Sequence, residues 1–144
     1  MPSYGECHST EIAATPQACF DALIDYERLP EWQGAVRGAK VLERDEAGRG
    51  AVVEYEVDVR VRIVRYTLRQ IYDEPRRVAS EYLGGDFRDF GGEWRFEAIG
   101  ADRTRAELDL RIDPGSFVPR PLRTMIADAV MRRALRDLKT HLEA

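Results

Sequence analysis

Residues 51 to 72 exchange faces partway along. From Ala51 to Ile63 the apolar side chains fall on odd positions: Val53, Tyr55, Val57 and Val59. Glu54, Glu56 and Asp58 fall on even ones. From Val64 the apolar set is even (Val64, Tyr66, Leu68, Tyr72), and Arg65 and Arg69 are odd. A regular strand repeats every two residues and cannot exchange faces, so a bulge or a hairpin lies at 60–63. A single strand of ~22 residues would exceed the usual length, which favours the hairpin. Such a hairpin pairs positions whose numbers add to an odd total. A turn at Val61-Arg62 sets Asp58 against Arg65, Glu54 against Arg69, Tyr55 against Leu68 and Val57 against Tyr66. Charges then meet on the outer face and apolar groups on the inner one.

Other segments extend the β reading. Residues 5–13 form a first strand, strand pattern returns from Val36 with a turn at Asp45–Gly48, and 77–83, 87–98 and 104–113 are further strands. The last alternates Thr104, Ala106, Leu108, Leu110 and Ile112 with charged neighbours and stops at Pro114. Thr15-Pro16 caps a helix running to about Tyr26, and Leu29–Trp32 forms a second short helix or turn. After Pro119 and Pro121 a long helix runs to about Leu142. Its stripe includes Leu122, Met125, Ile126, Ala129, Val130, Ala134, Leu138 and Leu142 at 3–4 spacing. The class is α+β: one antiparallel sheet of about seven strands whose apolar face has one long helix to cover it.

The 144 residues fit one domain, 1–144, large enough for a core without staples. A formal net charge of −4 speaks against nucleic acid as a partner. With two cysteines, Cys7 and Cys19, no disulfide framework is expected; the N-terminus lacks the pattern of a signal peptide, and a cytoplasmic location is expected. No apolar run approaches the ~20 residues of a membrane span, so insertion is not expected, though transient membrane or protein contact stays open. Two distant histidines with no CxxC or HxH spacing give no zinc pattern, and no cofactor is expected.

Three segments carry a resemblance: Tyr26-Glu27-Arg28-Leu29-Pro30-Glu31-Trp32, Gly85-Asp86-Phe87-Arg88-Asp89-Phe90-Gly91-Gly92-Glu93-Trp94, and the proline-led terminal helix. With the order of elements, these resemble the START/Bet v 1-like (SRPBCC) superfamily, in particular its polyketide cyclase/dehydrase and coenzyme Q-binding (COQ10-type) branch. The resemblance implies a helix-grip fold, with a curved sheet wrapped around the C-terminal helix, and a cavity between them for a lipid, quinone or polyketide-like ligand. It implies no metal or redox cofactor.

Within that frame the expected cavity wall is Tyr55, Tyr66, Leu68, Gln70, Phe90, Trp94 and Met125, around a pocket on the order of ~300 Å³. Phe90, Trp94 and Phe96 share a face with Gly92, which would leave room beside them; the same residues also suit an ordinary core. Trp32 would cap the mouth or plug the core. Tyr82 joins the tyrosines whose hydroxyls need partners, from ligand, backbone or water. Gln70, polar on an apolar face, is a pocket marker. Arg88 shares parity with Phe90 and Trp94. Pointed inward it would face an anionic or enolate group and is the one catalytic candidate; at the strand start it would reach solvent or Asp86. Neither serine has a histidine nearby, and the carboxylates sit on polar faces. Three functions remain open: a carrier for a small hydrophobic ligand, which the missing catalytic set favours; a polyketide aromatase/cyclase or dehydratase; and a partner-binding module with a vestigial cavity.

Overall fold

The structure, a computed structural model, describes residues 4–60, 62–116 and 118–144. Its strands are β1 (Tyr4–Ile12), β2 (Val36–Arg44), β3 (Gly50–Asp58), β4 (Ile63–Asp73), β5 (Arg77–Gly85), β6 (Asp89–Gly100) and β7 (Arg103–Asp113). The helices are α1 (Pro16–Ile24), α2 (Leu29–Trp32) and α3 (Arg120–Glu143), with a 3-10 turn at Tyr26–Arg28 between the first two. All strand pairs are antiparallel, in the order β1-β7-β6-β5-β4-β3-β2. This is the START helix-grip fold: a curved sheet, two short helices after the first strand, and a long terminal helix.

Local chemistry explains the elements. Thr15 caps α1, its hydroxyl accepting from the Ala18 amide at 3.1 Å, and Pro16 occupies the first turn, where no amide hydrogen is needed. In β7 the even-numbered residues from Thr104 to Ile112 are all buried, as alternation requires. Thr104 is fully buried and donates to the Ala14 carbonyl at 2.7 Å, fixing the loop into α1. The end of α3 is tied to the same loop, where Glu143 accepts from the Ala13 amide at 2.9 Å.

The face exchange is a hairpin, and its paired numbers add to an odd total. The register differs by two from the expected one: Tyr55 faces Tyr66, Val57 faces Val64 and Glu54 faces Thr67. The turn lies one residue earlier, with Arg60 in the left-handed region at φ 77° and its amide held by the Asp58 carboxylate at 2.8 Å. Val61, half of the expected turn, is outside the described residues. The charge partners change with the register. Arg65 pairs with Glu56 at 2.8 Å, Arg69 lies 3.5 Å from Glu81 on β5, and Asp58 takes Arg37 from β2.

On α3 the deepest residues are Ile126, Ala127, Met131, Leu135 and Leu138. Leu122, Val130, Ala134 and Leu142 pack only partly against the core, and Met125 is 58% exposed. The 3–4 stripe is thus split: Ile126 and Leu138 lie in the core with Met131 and Leu135, while Met125, Leu122, Val130, Ala134 and Leu142 flank it. No helix of the described residues is long and apolar enough to cross a membrane.

Candidate binding cavity

A cavity of about 100 Å³ lies between the β3–β6 part of the sheet and α3. Tyr55, Tyr66, Leu68, Gln70, Phe90 and Trp94 line it, contributed by β3, β4 and β6. Tyr26 and Gln33, from the short-helix segment, close its other side with Val130 and Ala134 of α3. Away from the cavity the core is filled: Phe20, Ile112, Met131 and Leu138 are almost wholly inaccessible.

The aromatic wall is ordered by ring contacts. Tyr66 stacks on Tyr55 with centroids 5.4 Å apart and on Phe90 at 5.0 Å, and Phe87 lies 5.1 Å away. Gly85 lies directly across from Tyr66 in β5, and a Cβ there would come within 2.5 Å of the Tyr66 Cα. Gly92 does not supply room beside the wall. At φ 147° it takes a backbone bend that admits the close approach of β7, and its Cβ would meet the Asp109 carbonyl at 2.0 Å.

Polar groups divide into two sets. Gln70 donates to the Tyr55 hydroxyl at 3.0 Å and accepts from Ser80 at 2.6 Å. The Tyr26 and Tyr72 hydroxyls lie 2.6 Å apart, and Tyr72 donates to the Gly50 carbonyl. These groups satisfy one another. Among the described residues, by contrast, the Tyr66 hydroxyl and the Gln33 carboxamide have no hydrogen-bond partner, although each residue is only 8% exposed.

Burial pushes every tyrosine here upward in pKa. Tyr26, Tyr55 and Tyr66 rise well above the ordinary phenol value, and Tyr72 is pushed up to about 12. At neutral pH they are protonated hydrogen-bond donors. The ionised residues along the wall are paired: Glu93 with Arg77 and Arg95, both at 2.9 Å, and Arg133 with Asp137 at 3.7 Å.

Three expected ligand contacts and the catalytic candidate lie elsewhere. Met125 lines a different groove, of about 440 Å³, between α3 and the β3–β4 turn, where Asp58 and Arg60 also stand. Trp32 stacks on His141, 4.7 Å between centroids and 6° apart, tying α2 to the end of α3. Tyr82 spends its hydroxyl on the Phe87 carbonyl at 2.7 Å. Phe96 is core packing beside Trp94. Arg88 precedes β6, so strand parity does not govern it; its side chain is half exposed, 3.7 Å from Asp113. Sequence pattern does not single out Tyr26 and Gln33 as cavity residues. They sit in a 3-10 turn and a loop, where no periodicity reports on facing; the nearest signal is their place at either end of the Tyr26–Trp32 motif.

A model of the family described as polyketide cyclase/dehydrase and lipid transport matches residues 12–139. Among curated proteins none matches the chain. A START superfamily protein from Mycobacterium smegmatis superposes with a TM-score of 0.89 at 20% identity, covering 97% of each chain. The Zhui aromatase/cyclase from Streptomyces sp. R1128 gives 0.84 at 21% identity, over 98% of this chain and 94% of its own. A protein from Thermus thermophilus gives 0.77 at 23%, over 96% and 94%. At these identities the superpositions speak to fold.

Proposed function

This chain belongs to the polyketide cyclase/dehydrase and lipid transport family, and from that premise we propose that it binds a small hydrophobic ligand in the cavity between the sheet and α3, as a carrier. One observation carries the reading: a void is kept in a core that is otherwise packed. At ~24 cal/mol per Å³, a cavity of about 100 Å³ forgoes roughly 2 kcal/mol, against a domain stability of ~5–15 kcal/mol. An occupant recovers that loss. The wall supports binding over turnover. Its tyrosines are donors with raised pKa, unsuited to act as bases at neutral pH, and its carboxylates are held by guanidinium groups.

The competing reading is an aromatase/cyclase. The end of the Tyr55–Gln70–Ser80 chain favours it, since the Tyr55 hydroxyl accepts from Gln70 and its own proton could polarise a carbonyl of a bound polyketide-like chain. A vestigial cavity in a partner-binding module has less support, because the interior is not fully packed. The deciding experiment has two parts. Hydrophobic ligands should raise Tm in thermal melts by mass action, and Trp94→Ala should reduce that rise more than it reduces Tm of the free protein. Conversion of a poly-β-keto substrate to a defined ring product, lost in Gln70→Leu with the fold intact, would replace the carrier reading with the cyclase one.

A further inference from the structure

The groove between α3 and the β3–β4 turn combines an apolar trough with an excess of positive charge. Leu122, Met125, Ile126, Ala129 and Val130 form its helix wall, with Val59 opposite. That wall runs for about three helical turns, roughly 16 Å from Leu122 to Arg133. Ile126 and Val59 are buried, whereas Met125 and Ala129 are exposed, so apolar surface continues from the recess to the open side. Three charged residues also line the groove: Asp58, Arg60 and Arg133. Asp58 is held by Arg37 at 3.3 Å, and Arg133 lies 3.7 Å from Asp137. The Arg60 guanidinium has no carboxylate partner among the described residues. Nor do Arg120 and Arg123, in the first turn of α3 where the groove begins; Arg123 reaches only the Val118 carbonyl, at 3.0 Å. That first turn contains no acidic residue. On the sheet, by contrast, Arg65, Arg77 and Arg95 are matched by carboxylates.

We propose that this groove docks an acidic amphipathic helix of a partner protein, with one apolar ridge in the trough and carboxylates against Arg60, Arg120 and Arg123. Helix-in-groove recognition uses apolar anchors at three- and four-residue spacing, and a wall of about three turns takes about three of them. The unmatched guanidinium groups give the direction of charge: they attract an acidic partner, repel a basic one and speed encounter. A bilayer presents a flat surface and leaves a trough unfilled, whereas a convex ridge of side chains fills it. Such docking does not require the inner cavity to hold a ligand, so it stands independently of the ligand-binding reading.

The test uses the full chain and two fluorescein-labelled helical peptides of about fourteen residues, each with leucine at i, i+3, i+4 and i+7. One carries glutamate at the remaining positions and the other lysine. Fluorescence anisotropy should show the glutamate peptide binding at least tenfold tighter. Arg60→Asn keeps a residue that tolerates the left-handed φ, and Arg120→Glu places a carboxylate where a helix N-terminus favours one, so both leave the fold intact. Together they should weaken the glutamate peptide by about tenfold and erase its preference over lysine. Ala129→Trp, at an exposed position, should obstruct the trough and weaken the glutamate peptide at least tenfold, with Tm unchanged. Equal binding of the two peptides overturns the charge assignment. Binding that survives Ala129→Trp places the peptide elsewhere and overturns the docking site. Binding of neither peptide overturns the proposal, and if vesicles of equal phosphatidylglycerol and phosphatidylcholine are bound instead, the surface meets a membrane and not a helix.

Discussion

The rings of Tyr55 and Tyr66 stack 5.4 Å apart, at 18°, directly across the β3–β4 pair. The two phenols share a wall but not a fate. Tyr55 accepts a hydrogen bond from Gln70 and belongs to a satisfied chain, whereas the Tyr66 hydroxyl has no protein partner among the described residues. The Tyr66 hydroxyl instead faces the cavity, and a paired hydroxyl contributes about 1 kcal/mol.

Replacing each by phenylalanine should separate these roles. Tyr66→Phe removes a hydroxyl that nothing holds, so the free protein should keep its stability within about 0.5 kcal/mol or gain slightly. Tyr55→Phe leaves the Gln70 amide without its acceptor and should cost about 1–2 kcal/mol. Urea unfolding of both variants measures the difference. Equal losses would mean that the Tyr66 hydroxyl is tied down in the free protein.

Gly92 offers a test of the sheet bend. An added Cβ would lie 2.0 Å from the Asp109 carbonyl oxygen and 2.9 Å from the Leu110 Cα, both backbone atoms of β7, in a conformation side chains rarely adopt. Gly92→Ala should destabilise by about 3 kcal/mol or more. Gly38→Ala is the control, since nothing lies within 4 Å of its Cβ, and it should be near neutral. Thermal melts showing Gly92→Ala as mild as Gly38→Ala would contradict the close approach of β6 and β7.

Much of this architecture was legible because alternation and helical spacing report directly on burial. The parity exchange at 60–63 left a bulge or a hairpin, strand length favoured the hairpin, and alternation puts Tyr55, Tyr66, Leu68, Gln70, Phe90 and Trp94 on the concave face. The register was not legible. It depends on Arg60 adopting a left-handed φ that glycine or asparagine usually marks, and here the Asp58 carboxylate supplies the support. Parity did not settle Arg88 because β6 begins at Asp89, two residues later than the pattern set it. Helical spacing placed Met125 with its stripe but could not tell a packed flank from one bordering a groove. Gln33 lies in a loop, where position follows from tertiary contact alone.

Acid should unfold the protein through carboxylates that are held in the folded state. Hydrogen bonds from Arg77 and Arg95 hold Glu93 below the usual carboxylate range, and Lys139 and the Ala13 amide do the same for Glu143. The Arg60 amide and Arg37 lower Asp58 likewise. Because the folded pKa values are depressed, this stability is present above the unfolded values near ~4 and is lost as pH falls through the lower folded ones. Tm should change little from about pH 7 to 5 and drop below about pH 4. Glu93→Gln should lower Tm at pH 7, with the gap to the unmodified protein narrowing as pH falls; a gap independent of pH would show that the charge on Glu93 contributes nothing.

A contact between the loop after α2 and α3 narrows one side of the cavity. The Gly34 amide donates to Asp137 at 2.9 Å, and Arg133, 3.7 Å from the same carboxylate oxygen, lies over Gly34 so closely that a Cβ there would sit 2.2 Å from its guanidinium. Gln33 and Ala35, which flank Gly34, both line the cavity, so the loop cannot swing without opening it. Asp137→Ala removes the acceptor that joins loop to helix. A charge-assisted bond at a partly exposed site holds the loop against the helix by about 1.4 kcal/mol after screening, which is tenfold in population. Stopped-flow binding of a hydrophobic ligand should therefore show association and dissociation rates both rising by up to about tenfold, with Kd changing much less. Asp137→Asn keeps an acceptor and should fall between. Unchanged rates in Asp137→Ala would mean that ligands reach the cavity by another route, and a fall in affinity with unchanged association would mean that Asp137 contacts the ligand and does not gate its passage.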